Sequence, residues 1–353
     1  MSTILITGGA GFIGQYVARS LNDRGHRVLA MDTLEAQVHS DPEAASERFP
    51  GEVLRHDVSA PDSWEGLGEV DGVVHLAAET GTAQSMYEQD RYRRTNVEGT
   101  RQAAEFCAAR DIPLVSLSSR AVYGEGLLEQ TERESTDGRD YGVTGRYRPS
   151  SEDDAHEPVS VYGETKSEAE EIAKGVLAAG RLAVLRPQNV VGLGQALHNP
   201  YTGVLAAFLS RLKAGMPLSV YGDGTQTRDF VHVSDVAAAI VWALEASKPG
   251  EPLVVNVGTG IRLTLDELAE TARGASKGEE VAIEHVDVHR AGDIDHACAD
   301  MTHAWGLGMP RPRLTPQEAI VDFIANSWDM EAADPRLWDK ALSELTERGL
   351  AES

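Results

Sequence analysis

The chain has 353 residues, of which 41% are hydrophobic and 25% are charged, so it is not a disordered chain and is long enough for two lobes. Its 56 acidic and 32 basic residues give a formal net charge of −24, which argues against nucleic-acid and anionic-membrane partners, since phosphate contacts need clustered lysine and arginine. Two cysteines, Cys107 and Cys298, provide neither a disulfide framework nor a metal-ligand spacing. We see no leader peptide or long apolar run and expect a cytoplasmic protein without a metal.

A glycine-rich turn follows the first predicted strand. The apolar residues 2–7 are typical of a buried parallel strand, and a helical pattern covers residues 15–24. Between them, Gly8 permits a tight turn, Gly11 lets a pyrophosphate approach the backbone, and Gly14 allows the helix to pack closely on the strand. The helix N-terminus would offer N–H groups to the phosphates. This order predicts a dinucleotide site; a glycine-rich turn without a ligand is the alternative left open.

The second predicted strand, residues 27–31, ends at Asp32. An acid at the end of the second strand can accept hydrogen bonds from the ribose hydroxyls of NAD, and it would repel the 2′-phosphate of NADP. No arginine follows it immediately. We therefore expect NAD as the cofactor, and a solvated acid in a turn is the alternative.

Strand and helix patterns continue to alternate through the first half of the chain. Strands are predicted at residues 51–55, 72–78, 112–117 and 181–186, and a helix at residues 100–110. Such alternation predicts an α/β fold, a Rossmann-like doubly wound parallel sheet with a smaller C-terminal α/β lobe. We expect residues 1–186 to form the dinucleotide-binding domain, residues 228–257 to return to it, and residues 187–353 to form mainly the second lobe.

Tyr162 and Lys166 lie four residues apart, just before an alanine- and glutamate-rich stretch, residues 167–175, that is predicted as a helix. Residues four apart share a helix face. A cation beside a phenol favours the phenolate and lowers its pKa, so this pair could act as a proton-transfer base. An ordinary pair on a helix surface is the alternative.

Six segments together resemble the extended short-chain dehydrogenases/reductases that act as nucleotide-sugar epimerases and dehydratases. They are Thr7–Gly14, His75–Ala78, Asn96–Thr100, Ser118–Gly124, Tyr162–Lys166 and Arg228–Asp235, in family order. The resemblance implies a catalytic trio of Ser119, Tyr162 and Lys166. It also implies that NAD contacts Gly8, Gly11, Phe12, Ile13, Gly14, Asp32, Asp57, Val58, Leu76, Ala77, Ala78, Thr80, Asn96, Tyr162 and Lys166. From its residue type alone, Asn96 could equally cap a helix.

The resemblance also implies a substrate side in the second lobe. Arg228 and Arg290 match arginines that bind a nucleotide diphosphate, and Asp293 matches an acid that binds the ribose. Asn189 matches an asparagine that contacts sugar or phosphate, and Ser119 and Arg120 are expected at the sugar. Two arginines near a carboxylate suit a diphosphate joined to a hydroxylated ring, but surface ion pairs are the alternative.

Within this group the chain is most similar to the dTDP-L-rhamnose and UDP-glucose 4-epimerase type, through residues 75–87, 119–126 and 188–203. Val191 and Leu193 depart from the usual tyrosine and proline, which leaves the sugar open. The resemblance implies NAD-dependent epimerisation at C4 of a nucleotide-diphosphate hexose or deoxyhexose, such as a dTDP- or UDP-hexose, through a 4-keto intermediate. It also implies a homodimer.

Other reactions stay open as alternatives. The dehydratases of the group carry an Asp-Glu pair after the catalytic Ser or Thr, and the decarboxylases keep a Glu there. This chain has Arg120 and Ala121, so elimination would lack its acid/base residue. A reductase consuming NADPH is disfavoured by Asp32. A catalytically silent NAD-binding regulator is the alternative from another class, and it would have no use for an intact trio.

The stretch Glu125–Pro158 holds ten acids and four arginines. A solvated loop is the expectation for such a composition. A lid over the sugar is the alternative, because the stretch starts beyond Ser119 and ends just before Tyr162.

Overall fold

The structure is a computed structural model that describes residues 1–129, 146–199, 203–290, 292–332 and 334–352. The middle of the acidic stretch lies outside the described residues, so both expectations for it, the solvated loop and the lid, stay predictions. The strands are β1 (Thr3–Thr7), β2 (Arg27–Met31), β3 (Glu52–Leu54), β4 (Gly72–His75), β5 (Leu114–Leu117), β6 (Leu128–Glu129), β7 (Arg146–Tyr147), β8 (Leu182–Pro187), β9 (Asn189–Val191), β10 (Leu218–Tyr221), β11 (Thr227–Arg228), β12 (Phe230–His232), β13 (Leu253–Val257), β14 (Leu263–Thr264), β15 (Ile283–Val286), β16 (His289–Arg290) and β17 (Ala351–Glu352). The helices are α1 (Phe12–Asp23), α2 (Pro42–Arg48), α3 (Thr82–Ser85), α4 (Gln89–Tyr92), α5 (Gly99–Arg110), α6 (Val161–Val176), α7 (Val204–Lys213), α8 (Val233–Ala246), α9 (Leu265–Gly274), α10 (Thr302–Gly306), α11 (Pro316–Ser327) and α12 (Arg336–Glu347).

Seven strands form one sheet in the spatial order β3-β2-β1-β4-β5-β8-β13, and all neighbours run parallel. From β1 the chain proceeds to β2 and β3 on one side and then returns to β4, β5 and β8 on the other. This is the predicted doubly wound parallel sheet, so the fold class is confirmed. Ligands of such sheets bind beyond the carboxyl ends of the strands where the order reverses, and here that point lies between β1 and β4.

Alternate side chains of the central strands enter two separate cores. Ile4 and Ile6 of β1 face α1 and α8, whereas Leu5 faces α5 and α6. Successive side chains of a strand point to opposite faces, so burial on both faces requires a strand that is apolar throughout. The two helical layers therefore leave only the ends of the strands open to a ligand.

Residues from the second half of the chain also belong to this sheet. β13 is the seventh strand and pairs in parallel with β8. α8 precedes it and packs against α1 on one face of the sheet. α8 and β13, which follow β12 in the chain, therefore lie in the same helical layer as α1 and in the same sheet as β1.

The smaller lobe has its own core between α7, α9, α11 and β10, with Phe208, Leu268 and Phe323 buried in it. β10 pairs in parallel with β15, and β9 pairs in parallel with β12, which leads directly into α8. The predicted C-terminal α/β lobe is thus present. None of the helices in the described ranges is both long and apolar enough to cross a membrane.

Candidate active site

The glycine-rich turn has the backbone shape that a phosphate site requires. Gly8 has a φ of +65°, and a Cβ atom there would lie 2.8 Å from the nitrogen of Ala77. A Cβ atom at Gly14 would lie 2.5 Å from the carbonyl oxygen of Gly8. α1 can therefore pack this closely on the turn only because position 14 has no side chain. α1 begins at Phe12, and its N-cap, Gly11, supplies no side-chain hydrogen bond. The first N–H groups of the helix are therefore suited to an anion.

Asp32 lies at the end of β2 beside this turn and is only 8% exposed. One carboxylate oxygen accepts the N–H of Ala10 at 3.1 Å, and the other accepts the N–H of Leu34 at 2.9 Å. Ile13, in the first turn of α1, packs against the core nearby. Asp32 is therefore not a solvated turn acid. Its carboxylate lies where the ribose of a dinucleotide bound to the turn would be expected.

Asn96 fixes the loop that follows β4. Its side-chain oxygen accepts the N–H of Glu79 at 2.9 Å, and its amide nitrogen donates to the carbonyl of Glu79 at 3.1 Å and to Thr165 Oγ1 at 3.0 Å. Thr165 belongs to α6, so one buried amide joins the loop to that helix. The N-cap of the nearby α5 is Glu98, so the alternative role of Asn96 as a helix cap is wrong.

The other predicted residues of this loop lie at the same edge of the sheet. Leu76 and Ala77 donate their N–H groups to Thr7 Oγ1 at 3.1 and 3.2 Å. Ala78 is half-buried and Thr80 is exposed. The loop is thus attached to β1 at its start and to α6 further along.

Asp57 and Val58 form a turn after β3. The Asp57 carboxylate accepts the N–H and the hydroxyl of Ser59 at 2.9 and 2.8 Å. Val58 is buried, and a Cβ atom at Gly99 would lie 2.7 Å from its side chain. Trp64 Nε1 donates to the Val58 carbonyl at 2.9 Å. The backbone of both residues is therefore held firmly, and their contact with NAD stays a prediction.

The helix that carries the Tyr-Lys pair begins earlier than predicted. The sequence analysis placed a helix at residues 167–175, but α6 starts at Val161. The hydroxyl of Ser160 accepts the N–H of Gly163 at 3.2 Å and so caps the first turn. Both members of the pair consequently lie inside the helix, one turn apart on the same face.

Ser119 and Tyr162 meet at the carboxyl edge of the sheet. Ser119 follows β5 and accepts the N–H of Ala121 at 3.1 Å, and it lies near enough to the phenol of Tyr162 to lower its pKa. Lys166 is buried below them and donates from Nζ to the carbonyl of Leu117 at 2.9 Å. The structure thus brings the three predicted catalytic residues to the end of one strand.

The pKa of Tyr162 differs from the prediction. Burial raises it, against the hydrogen bond from Ser119 and the charge of Arg120, which lower it. A pKa lowered by Lys166 was expected; that is wrong here, because burial dominates and Arg120 is the cation that acts on the phenol. Burial also lowers the pKa of Lys166 to about 8, and the charge of Glu170 opposes this shift.

Arg120 lies between Ser119 and Tyr162 and the residues predicted to bind the substrate. It directly follows Ser119, at the start of a short helical turn. Burial, followed by the positive charge of Arg228, lowers the pKa of Arg120 to about 10, while Tyr162 and Asp293 act in the opposite direction. These charges from both lobes therefore act within one site.

A buried ion pair beneath the trio escaped the sequence analysis. Arg186 Nε and Nη2 donate to the two carboxylate oxygens of Glu170 at 2.9 and 2.7 Å, and both side chains are at most 3% exposed. The hydroxyl of Ser118 donates to the same carboxylate at 2.5 Å. Glu170 lies one turn beyond Lys166, and Arg186 interrupts an apolar strand; these two positions are the signal that could have revealed the pair.

The same arginine also holds the C-terminal part of the acidic stretch. Arg186 Nη1 donates to the Tyr123 hydroxyl at 2.9 Å, and that hydroxyl donates to Asn256 Oδ1 at 2.7 Å. Arg186 Nη2 lies 2.7 Å from His156 Nε2, and the other ring nitrogen lies 2.6 Å from Ser167 Oγ. One guanidinium therefore connects α6, the sheet and the acidic stretch.

The predicted substrate arginines lie in the second lobe and contact protein groups. Arg228 Nη2 donates to the carbonyl of Ile294 at 2.6 Å, and its Nη1 donates to that of Asp295 at 2.9 Å. Arg290 Nε donates to the carboxylate of Asp293 at 2.8 Å. Arg290 and Asp293 thus lie together, and Arg228 holds the backbone just beyond them.

Asn189, in β9, has its side-chain oxygen buried without a hydrogen-bond partner in the described part of the chain. Such an oxygen fits contact with a donor on a ligand.

A cavity of about 570 Å³ opens along the segment that Arg228 holds. It is lined by Gly222, Asp223, Thr225, Gln226, His285, Asp287, Asp295 and His296. Across the described ranges, no group of three or more His, Cys, Asp or Glu side chains could hold a metal ion.

Known proteins resemble this chain over most of its length. Residues 4–258 match the NAD dependent epimerase/dehydratase family. A dTDP-L-rhamnose 4-epimerase of Burkholderia thailandensis is 35% identical over 326 residues, which cover 85% of this chain and 88% of that protein. A UDP-N-acetyl-alpha-D-glucosaminuronate decarboxylase of Bacillus cytotoxicus is 29% identical over 91% of this chain and 96% of its own length. The solved structure of a UDP-glucose 4-epimerase of Thermus thermophilus in complex with NAD has a TM-score of 0.76 at 26% identity, and the match covers 93% of this chain and 100% of that one.

Proposed function

The chain belongs to the NAD dependent epimerase/dehydratase family, and we propose that it catalyses NAD-dependent epimerisation at C4 of a nucleotide-diphosphate hexose or deoxyhexose. The observation that carries this proposal is the proximity of Ser119, Tyr162 and Lys166 at the end of β5, at the same edge of the sheet as the glycine-rich turn. Oxidation of an alcohol by a nicotinamide needs a proton acceptor at the dinucleotide site.

NAD fits the residues of the first lobe. The turn around Gly8 and Gly14 leaves no room for a Cβ atom, and the N–H groups at the start of α1 are suited to the pyrophosphate. Asp32 would accept hydrogen bonds from the ribose. When bound, the nicotinamide of NAD would supply an acceptor for the C4 hydride of the sugar and afterwards a donor of the same hydride.

Tyr162 accepts the proton of the sugar 4-hydroxyl while C4 is oxidised, and it returns a proton when C4 is reduced. Ser119 and the charge of Arg120 both lower the pKa of Tyr162 and so favour the phenolate. Lys166 holds the helix that carries Tyr162 against the end of β5. Proton transfer to a positioned side chain contributes about 10²–10⁴-fold to the rate.

Arg228 and Arg290 bind the diphosphate, Asp293 binds the nucleotide ribose, and Asn189 contacts the sugar or phosphate. A 4-keto sugar must turn over before the hydride returns to its other face. This requires a firm hold on the diphosphate and few contacts with the hexose, and two arginines in the second lobe suit that division. The relatives named above support a dTDP- or UDP-hexose as the substrate.

Elimination and decarboxylation have less support. Both need an acid beside the catalytic serine, and Arg120 and Ala121 occupy those positions. The relative named as a decarboxylase is 29% identical, against 35% for the relative named as a 4-epimerase. The homodimer, the cytoplasmic location and the domain boundaries at residues 186 and 187 stay predictions.

The proposal is tested by incubating the protein with NAD and a panel of dTDP- and UDP-hexoses that carry deuterium at C4. We expect a product of unchanged mass, inverted at C4, that keeps its deuterium, because the hydride returns to the carbon it left. Tyr162→Phe should bind NAD normally and lose about 10²–10⁴-fold in turnover. Loss of water from the substrate, or a wild-type rate in Tyr162→Phe, would contradict the proposal.

A further inference from the structure

We propose that Glu125 is a positioning residue for nucleotide-diphosphate binding, because it fixes the backbone of Ile294–His296, here named the clasp segment, against the catalytic loop. The inference rests on the proposed function, in which Arg228 and Arg290 bind the diphosphate. Glu125 is half-buried and lies at the start of the acidic stretch, six residues beyond Ser119. It therefore connects the two lobes at the point where a substrate must contact both.

Both oxygens of the Glu125 carboxylate bind the clasp segment. Oε2 accepts the N–H of Asp295 at 2.7 Å, and Oε1 accepts the N–H of His296 at 2.7 Å. Hydrogen bonds to an ionised acceptor are roughly twice as strong as neutral ones, and two on one carboxylate also fix its orientation. The contact spans 170 residues of sequence, so it is a link between lobes and not a local turn.

Arg228 holds the same segment through its carbonyl groups, those of Ile294 and Asp295. The Glu125 carboxylate therefore accepts hydrogen bonds from the N–H groups of the clasp segment, while the Arg228 guanidinium donates hydrogen bonds to its C=O groups. Because the position of that guanidinium depends on the clasp segment, it also depends on Glu125. The charge of Glu125 additionally acts on both Arg228 and Arg120.

Other contacts keep this region folded when the carboxylate is neutralised. The ring of Tyr147 packs on that of His296 with the centroids 4.2 Å apart. The N–H of Gly126 donates to the His296 carbonyl at 3.2 Å, and the N–H of Ser150 donates to that of Cys298 at 2.9 Å. A variant at Glu125 should therefore fold and show a binding defect.

The test is Glu125→Gln, which keeps the size of the side chain, removes its charge and turns an NH₂ group toward a backbone donor. Binding of UDP and dTDP is measured by calorimetry, together with KM, kcat, NAD affinity and Tm. We expect both nucleotide diphosphates to bind about tenfold more weakly and KM to rise equally. NAD affinity and kcat should stay within about twofold of the wild type. The control is Glu157→Gln, an exposed carboxylate of the same stretch, which should change none of these values.

If Glu125→Gln does not fold, Glu125→Asp keeps the charge but withdraws the carboxylate by one methylene, and weaker binding of UDP and dTDP is again expected. Wild-type affinity in a folded Glu125 variant would overturn this inference alone. A fall in Tm and kcat at unchanged affinity would also overturn it, since the role would then be structural. A wild-type protein that binds neither UDP nor dTDP would overturn the proposed function and this inference together.

Discussion

Lys166 and Arg120 act on different groups of the candidate site. Lys166 is bonded to a main-chain carbonyl at the end of β5, whereas the charge of Arg120 acts on the phenol itself. Burial raises the pKa of Tyr162, so any group that favours the phenolate would assist its proposed role as a base. Arg120 is the residue whose charge can be removed without changing the proposed proton acceptor.

Arg120→Gln should shift the pH dependence of kcat/KM to higher pH. The charge of Arg120 lowers the pKa of Tyr162, so its removal raises that pKa, and the rate then reaches half its maximum at a higher pH. Arg120→Lys keeps a cation and should retain most of the wild-type profile. Profiles that coincide for the Gln variant and the wild type would show that Arg120 does not act on the phenol.

At the scale of the element, α6 presents Tyr162, Lys166 and Glu170 at intervals of four residues on one face. Burial works to raise the pKa of Glu170, but its bonds with Arg186 and Ser118 lower it below the usual range. A carboxyl with a lowered folded-state pKa contributes stability above its unfolded pKa, and that contribution is lost as the pH falls through the folded value. The helix is therefore anchored to β8 by a bond that acid breaks.

Glu170→Gln should lower the free energy of unfolding by about 3–5 kcal/mol at pH 7, because it leaves the Arg186 charge buried without its partner. The difference from the wild type should be complete at pH 7 and should shrink as the pH falls below about 4.3, the pKa of an unfolded glutamate, and through the lower folded-state pKa. Urea unfolding at both pH values measures it.

Glu171→Gln is the matched control on the same helix. The Glu171 side chain is 68% exposed and pairs with Lys174 at the surface. Surface pairs of this kind contribute less than about 1 kcal/mol. Two outcomes would contradict the assigned role of the buried pair. The free energy of unfolding could fall equally in the two variants, or its difference between Glu170→Gln and the wild type could stay the same at both pH values.

Elements with a strong local pattern were predicted well from the sequence. Residues 27–31 form a strand with the predicted bounds, because an apolar run between turns leaves little choice. The start of α6 was missed, because only the alanine- and glutamate-rich residues 167–175 were predicted as a helix, whereas Gly163 and Thr165 are weak helix formers. The cap at Ser160 and the packing of the buried face outweigh those propensities.

The candidate site was predicted only where a motif fixes the spacing. Ser119 and Tyr162 follow from such motifs and meet in the structure. The partner of Glu125 could not be predicted, since it lies 170 residues away and only the tertiary fold brings the two together. For the same reason the sequence could not show that Lys166 donates to a strand carbonyl.

At the scale of the whole molecule, one core joins the two halves of the chain. Val17 of α1, Ile240 of α8, Val257 of β13 and Met301 pack into the same cluster as the strands of the first half. α8 and β13 are therefore part of the layer that supports the dinucleotide turn. Removal of their contacts would expose one face of the sheet.

We therefore expect the full chain to unfold in a single transition, with NAD raising Tm for the whole of it. At 100 times its Kd, a bound ligand stabilises a folded protein by about 2.7 kcal/mol.

Ile240→Ala, in a fully buried position of α8, should lower the free energy of unfolding by about 2–5 kcal/mol and lower the Tm of the whole chain in one transition. Val321→Ala is the control, since that side chain is 44% exposed and should change Tm little. Calorimetry and tryptophan fluorescence should give the same midpoint; two transitions, of which only one responds to NAD, would show that the lobes unfold independently.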